Sequence, residues 1–228
     1  MIYAISDIHA HTDLYKKFKK DLKEEDEVFV LGDTIDKGDG TIEVLTDILE
    51  DERFTLLLGN HEVMMIDYLL RPTHIKYMRW CYNNDGLKTL KSFLGLAPSQ
   101  QVELKKRILN LPVQLELPIG ERTFLLSHAY CLKKGNKLHW NLPEIKESER
   151  VWFRKIPNFI EDRIVVNGHT PVQYINYFHE IKEEPSSIFK EVNNNSIWYD
   201  IDCGLATHKE NKKLGVLELT TLNERYYF

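Results

Sequence analysis

Cysteine is scarce in this chain, and the scarcity excludes two kinds of architecture. Cys81, Cys131 and Cys203 are odd in number, lie far apart and form no CxxC pair. They offer neither a disulfide framework nor a thiolate metal site, and read as buried thiols of a protein in a reducing cytoplasm. Long apolar runs are also missing. No stretch reaches the roughly 18 residues of a membrane-spanning helix. The N-terminal MIYAISDIHA lacks both the positive region and the long apolar region of a signal peptide, and reads as a strand starting almost at residue 1. Positive charge is in deficit, with 30 Lys and Arg against 35 Asp and Glu. Neither a stable nucleic-acid partner nor an anionic membrane surface is expected on that balance. The basic cluster Lys16, Lys17, Lys19 and Lys20 reads as a solvated helix face.

What the chain does have is 228 residues at 43% hydrophobic composition, enough for one domain over 1–228 with a sizeable core. The first 60 residues repeat one pattern three times. Apolar runs at 2–5, 28–31 and 54–58 each end in a polar turn: SDIHAHTD, GDTIDKGDG and GNHE. Leu14, Phe18 and Leu22, then Ile42, Leu45 and Leu49, supply helical faces between them. Strand, polar turn and helix in succession predict βαβ units and a mostly parallel sheet. Residues 62–110 carry helical spacing punctuated by Pro72, Gly86, Gly95 and Pro98, which predicts an insert of short helices. Its stripe of Met64, Met65, Tyr68, Tyr77, Trp80 and Tyr82 reads mainly as core. Later strands are predicted at 113–117 and 123–127 as a hairpin, then at 163–166, 197–201, 214–219 and 225–228. The polar stretch 179–195 is predicted to be an exposed loop.

Five apolar runs end in residues that ligate metals: Asp7 and His9, Asp33 and Asp36, Asn60 and His61, His128, and His169. In an open α/β sheet, sites form outside the carboxyl ends of the strands. Residues distant in sequence are therefore expected to converge on one edge. Carboxylate and imidazole without thiolate suit manganese, iron or zinc. The Asp7-x-His9 spacing is expected to put both side chains on one side of an extended segment. Asp33 is the natural bridge between two ions, and two divalent ions about 3.5–4 Å apart form the usual clamp for phosphoryl transfer. Two carboxylates against two divalent ions would leave a net positive centre in an acidic protein, which draws a phosphate ester without a basic surface.

The series SDIHA, GDTIDKG, GNHE, LLSHA and NGHTP resembles the calcineurin-like metallophosphoesterases. More narrowly it is similar to the small bacterial and phage form of the serine/threonine phosphoprotein phosphatases. WYDIDCG is similar to that family's late strand and turn. The resemblance implies an α/β fold of four layers, helices outside two central sheets, with the helical insert at about 62–110. It implies two divalent metal ions, manganese first among the candidates. Asp7 and His9 would hold one ion, Asp33 would bridge, and Asn60, His128 and His169 would hold the other. His61 would act as general acid, oriented by Asp36, while a metal-bridging hydroxide attacks phosphorus. Arg154 is similar in position to a phosphate-gripping arginine. Lys37 stands where the family usually has arginine, replacing a bidentate fork by a flexible point charge. Glu62 acquires no role by resemblance, and a place in the first turn of a helix would suit its charge.

The substrate implied is a phosphoprotein or phosphopeptide. Related dinucleoside polyphosphate hydrolases, of the diadenosine tetraphosphate type, carry very similar motifs, so a nucleotide substrate is the alternative. A non-catalytic binding protein on the same fold is disfavoured by the intact ligand set and the His61–Asp36 pair.

Overall fold

The computed structural model describes residues 1–130, 148–154, 159–177, 186–208, 210 and 212–228. Alternation along the first strands builds its layers. In β1 (Ile2–Ile5), Tyr3 and Ile5 enter a core shared with helices, whereas Ala4 faces a second sheet. In β2 (Glu27–Val30), Val28 and Val30 join the helical core and Phe29 joins the inter-sheet core. Successive strand residues point to opposite faces, so a strand covered on both sides must be apolar at every position. That is the continuous pattern of residues 28–31.

Helices α1 (Thr12–Lys20) and α2 (Glu43–Glu50) link β1 to β2 and β2 to β3 (Phe54–Leu56), and both strand pairs are parallel. The first buries Tyr15 and Phe18, the second Val44, Leu45 and Ile48. Lys16, Lys17 and Lys20 are exposed, as expected of a solvated face. The register sets Ile5 level with Val30, and Val30 level with Leu56. The three strands therefore end together, and the loops that follow emerge side by side. β9 (Leu214–Glu218) and β10 (Glu224–Tyr227) complete the sheet, in the order β10-β9-β1-β2-β3.

The second sheet comprises β4 (Gln114–Ile119), β5 (Arg122–Ser127), β6 (Ile164–Asn167), β7 (Phe189–Asn193) and β8 (Ser196–Asp200), in the order β4-β5-β6-β8-β7. β4 and β5 form the predicted hairpin. Phe124, Leu126, Ile164, Val166 and Tyr199 meet Phe29, Leu31 and Leu217 across the sheet interface. On the outer face, Leu125, Val165 and Trp198 are covered by Val172 and Ile175 of the 3-10 segment Val172–Tyr177. The result is the expected mixed α/β sandwich of two sheets with flanking helices.

One expectation is corrected. Within the predicted loop 179–195, residues 189–193 form β7, which pairs antiparallel with β8 at the sheet edge. An edge strand with mostly exposed side chains carries no apolar run to betray it. Residues 179–185 and Cys131 lie outside the described residues, as does the side chain of Tyr77. Cys81 and Cys203 are buried free thiols, as predicted.

The insert is helical throughout: α3 (Asn60–Leu70), α4 (Ile75–Asn83), α5 (Gly86–Leu94) and α6 (Pro98–Leu109). Met65, Trp80 and Phe93 belong to the core, but Tyr82 is 72% exposed. Asn60, His61 and Glu62 form the first turn of α3. Among the described residues no helix is long and apolar enough to cross a membrane.

Candidate metal centre

The polar ends of five strands converge on one edge of the sandwich. Asp7, His9, Asp33, Asp36, Asn60, His61, His128 and His169 are all buried there. The convergence of Asp7 and His9 differs from the extended geometry expected. β1 ends at Ile5, and Asp7, His9 and Ala10 all take left-handed backbone conformations, φ 52°, 46° and 53°. The loop runs beside the next one, with the Asp7 N–H donating to the Gly32 carbonyl at 3.2 Å and that of His9 to the Asp33 carbonyl at 2.9 Å. Asp33, Asp36, Lys37 and His169 are left-handed as well, at φ 54°, 69°, 67° and 68°. Such conformations cost roughly 1–3 kcal/mol each outside glycine and cluster at functional sites. Asn and Asp tolerate them best. Close packing at this edge also requires Gly168, where a methyl group would overlap the side chains of Ser6 and Asp7.

Two groups of side chains could each hold a cation, His9 with Asp33 and His61, and Asp33 with His128 and His169, their ligand atoms lying within 4.8 Å of one another. Asp33 belongs to both. Its Oδ1 lies 3.4 Å from His128 Nε2, and its Oδ2 lies 3.7 Å from His9 Nε2 and 3.9 Å from His61 Nε2. Asp7 Oδ1 is 3.7 Å from His9 Nε2. These separations exceed hydrogen bonds and suit atoms sharing an ion at about 2.1 Å. Asn60 Oδ1 lies 2.9 Å from His128 Nε2, which in turn is 3.2 Å from His169 Nδ1.

The tautomers fit the same purpose. His9 Nδ1 donates to the Ile35 carbonyl at 3.2 Å, and His128 Nδ1 donates to the Leu31 carbonyl at 2.7 Å. A carbonyl only accepts, so each bond fixes the proton on Nδ1 and turns the Nε2 lone pair into the cluster. Burial holds His9, His128 and His169 below the ordinary imidazole range, His128 at about 3, and so keeps them neutral as ligands must be. Burial, and then Asp202 acting on Asp7 and Asp7 acting on Asp33, pushes both carboxyl groups well above their usual range. Crowded buried carboxylates beside neutral imidazoles are a donor set that a divalent cation would relieve. The residues therefore fit a metal site.

His61 is built differently. Its Nδ1 meets Asp36 Oδ2 at 2.6 Å, a carboxylate in place of a carbonyl, and its Nε2 faces Asp33. Burial pulls the imidazole down to about 3 and pushes Asp36 up to about 7. Arg154 donates to the His169 carbonyl at 2.8 Å and stands close enough to act electrostatically on Asp7, His61 and Asp202. Lys37 turns to the α4–α5 connection, 3.5 Å from Asp85 Oδ2. It still helps hold the His61 imidazole down.

Sequence reading missed the work of Glu62. It occupies the first turn of α3, as its charge led one to expect, but it is fully buried. Its carboxylate accepts from the backbone N–H groups of Asp33 at 2.9 Å, Thr34 at 2.8 Å and Gly59 at 3.1 Å, and from Thr34 Oγ1 at 2.8 Å. It ties the loop carrying Asp33 to the helix carrying Asn60. Gly59 has no side chain to complete a capping box, so only this half exists. Replacing Glu62 by Ala strands several buried donors at about 1–3 kcal/mol each. The expected result is a fall in melting temperature of roughly 10 °C or more, read by thermal unfolding; an unchanged midpoint would refute the tie. Asp200 and Asp202, in WYDIDCG, are also buried at this edge, and burial raises both, Asp202 to about 6.

The family model described as calcineurin-like phosphoesterase matches residues 1–197. No curated protein matches the sequence. Among solved structures, a diadenosine tetraphosphatase-like protein superposes with a TM-score of 0.59 at 13% identity, covering 99% of this chain and 91% of that one. A protein serine/threonine phosphatase from Saccharomyces cerevisiae gives 0.56 at 13%, covering 99% and 79%. A cold-active protein-tyrosine phosphatase of a psychrophilic Shewanella gives 0.54 at 15%, covering 100% and 80%. At such identities the likeness is one of fold.

Proposed function

We propose, for a chain that belongs to the calcineurin-like phosphoesterase family, that it hydrolyses phosphoric monoesters, with phosphoserine or phosphothreonine in a protein or peptide as the substrate. The carrying observation is the His61–Asp36 pair at the edge of two ligand groups that share Asp33. Asp7 and His9 would hold one ion, Asn60, His128 and His169 the other, and Asp33 would be shared between them. Manganese leads iron and zinc as the native metal for this oxygen and nitrogen set. When bound, the ions polarise the phosphoryl oxygens and lower the pKa of water from about 15.7 towards 7.

The chain supplies binding and a proton. Arg154 grips the phosphate, and Lys37 adds a weaker charge. Asp36 holds Nδ1–H of His61, so that Nε2 delivers a proton to the departing oxygen. Before substrate arrives, burial, Lys37 and Arg154 keep His61 neutral. The negative charge of a bound phosphate opposes those cations and draws the imidazole towards its protonated form. Replacing Arg154 by Ala removes a charge-assisted contact and is expected to raise KM for phosphate monoesters roughly tenfold or more with a smaller change in kcat. Kinetics identical to wild type would place Arg154 outside the phosphate site.

A second reading, hydrolysis of dinucleoside polyphosphates, is favoured by one feature. A groove of about 690 Å³ beside Asp36 is lined by the exposed Tyr82 with Lys37, Lys88 and Lys91, an aromatic face with cations. The deciding experiment compares kcat/KM for a phosphoserine peptide and for diadenosine tetraphosphate, on manganese-loaded protein with a chelated control. Preference for the peptide supports the leading reading. Preference for the dinucleotide replaces it with the second.

A further inference from the structure

The carboxylate that orients His61 is itself held by the helical insert. Trp80, in α4, donates its indole Nε1–H to Asp36 Oδ2 at 2.6 Å, and Thr89, in α5, donates its hydroxyl to Asp36 Oδ1 at 2.5 Å. With His61 Nδ1 on Oδ2, three donors converge on one carboxylate, and both oxygens are satisfied. All the partners are buried, Trp80 and Thr89 at 1% exposure. The Trp80 N–H and the Thr89 hydroxyl each need an acceptor, so they favour the ionised form of Asp36 and oppose the burial that raises its carboxyl group. That form holds the Nδ1–H of His61, so that the second proton of the imidazolium, on Nε2, is the one directed at the leaving group.

The insert is shaped for this purpose. Asp85 turns the chain between α4 and α5 through a left-handed conformation, φ 58°. Gly86 follows with its Cα against the indole, where a methyl group would overlap the Trp80 ring. Burial of an indole requires only that its N–H find some acceptor. Here that acceptor is the side chain behind the acid, reached jointly with the hydroxyl of the neighbouring helix. Core packing alone would not bring both donors to opposite oxygens of Asp36.

We propose that Trp80 and Thr89 are positioning residues for the proton-donating step: through Asp36 they fix the orientation and tautomer of His61, so that the α4–α5 insert sets the efficiency of leaving-group protonation. The inference rests on the general-acid role of His61. It distinguishes substrates by the basicity of the departing oxygen. A good leaving group such as 4-nitrophenolate departs with little help, whereas phenolate or a serine alkoxide needs the proton.

The test compares Thr89→Val, Thr89→Ser, Trp80→Phe and His61→Asn on 4-nitrophenyl phosphate and phenyl phosphate, with manganese-loaded protein. Thr89→Val is expected to lower kcat on phenyl phosphate roughly 10–100-fold, the range for loss of an outer partner. KM stays near wild type, and kcat on 4-nitrophenyl phosphate changes far less. Thr89→Ser, which keeps the hydroxyl, restores the phenyl phosphate rate. Trp80→Phe is expected to show the same selectivity, and Thr89→Val decides the matter if that variant fails to fold. Equal losses on the two substrates, or no loss on either, overturn the positioning role. If His61→Asn itself lowers both rates equally, the general-acid reading fails. If His61→Asn discriminates between the substrates and Thr89→Val does not, only the present inference fails.

Discussion

Replacing His61 by Asn is expected to lower kcat on a phosphoserine peptide by roughly 10²–10⁴ while bound metal stays near the wild-type amount. The substitution removes the protonatable ring but spares its surroundings. The His61 backbone N–H that donates to Asp33 Oδ1 at 2.9 Å survives in the variant, and Asn is tolerated at the start of a helix. The side chains of His9, Asp33, His128 and His169, which could hold the ions, are left in place. In free energy the expected loss is about 3–5 kcal/mol of barrier, too large for a change in peripheral packing. Elemental analysis beside steady-state kinetics separates the alternatives. Loss of metal together with activity would make His61 a ligand, which its place beside His9 and Asp33 geometrically allows. Full activity would remove it from the mechanism.

Where a local pattern set the structure, the sequence was readable. The strands at 2–5, 28–31 and 54–58 announced themselves because burial on both faces demands unbroken apolar runs. The insert was readable because its helices repeat at a helical period between proline and glycine. The converging edge followed from topology, since parallel strands in register bring their ends together. Where long-range packing decided, the sequence was silent. β7 is exposed and polar, and only its pairing with β8 makes it a strand. Asp7 and His9 converge through left-handed turns against the Gly32–Asp33 loop, not through strand alternation. Glu62 reaches backbone donors 28 and 29 residues away. Trp80 and Thr89 meet Asp36 across 44 and 53 residues. Hydrogen bonds of that span leave no periodicity. The one available signal is a polar atom on a side chain whose position demands burial, such as the indole N–H of Trp80 on an otherwise apolar stripe.

Replacing Asp33 by Asn is expected to abolish the stable binding of both ions and to change how the metal-free protein responds to pH. Loss of an outer partner of a ligand already costs about 10–100-fold in metal affinity. A shared carboxylate, facing both groups of ligands, must cost more. The stability consequence runs the opposite way. Without metal, burial and the neighbouring Asp7 and Glu62 raise the Asp33 carboxyl above its unfolded value. A group raised in the folded state contributes its stability fully below its unfolded pKa, near 3.9, and loses it as pH climbs through the folded value. Metal-free wild type should therefore lose stability between mildly acidic and neutral pH, whereas the neutral Asn side chain, still able to accept from the His61 N–H, removes that contribution. Manganese should raise the melting temperature of wild type, since an ion that binds only the folded state stabilises it by mass action, and leave the variant nearly unmoved. Thermal unfolding of both proteins at pH 5 and pH 8, chelated and manganese-loaded, reads all of this at once. A variant that retains full metal, full activity and the wild-type pH dependence would remove Asp33 from the bridge. A variant that loses metal but keeps the wild-type dependence on pH would assign the charge repulsion to Asp7 and its neighbour Asp202 instead.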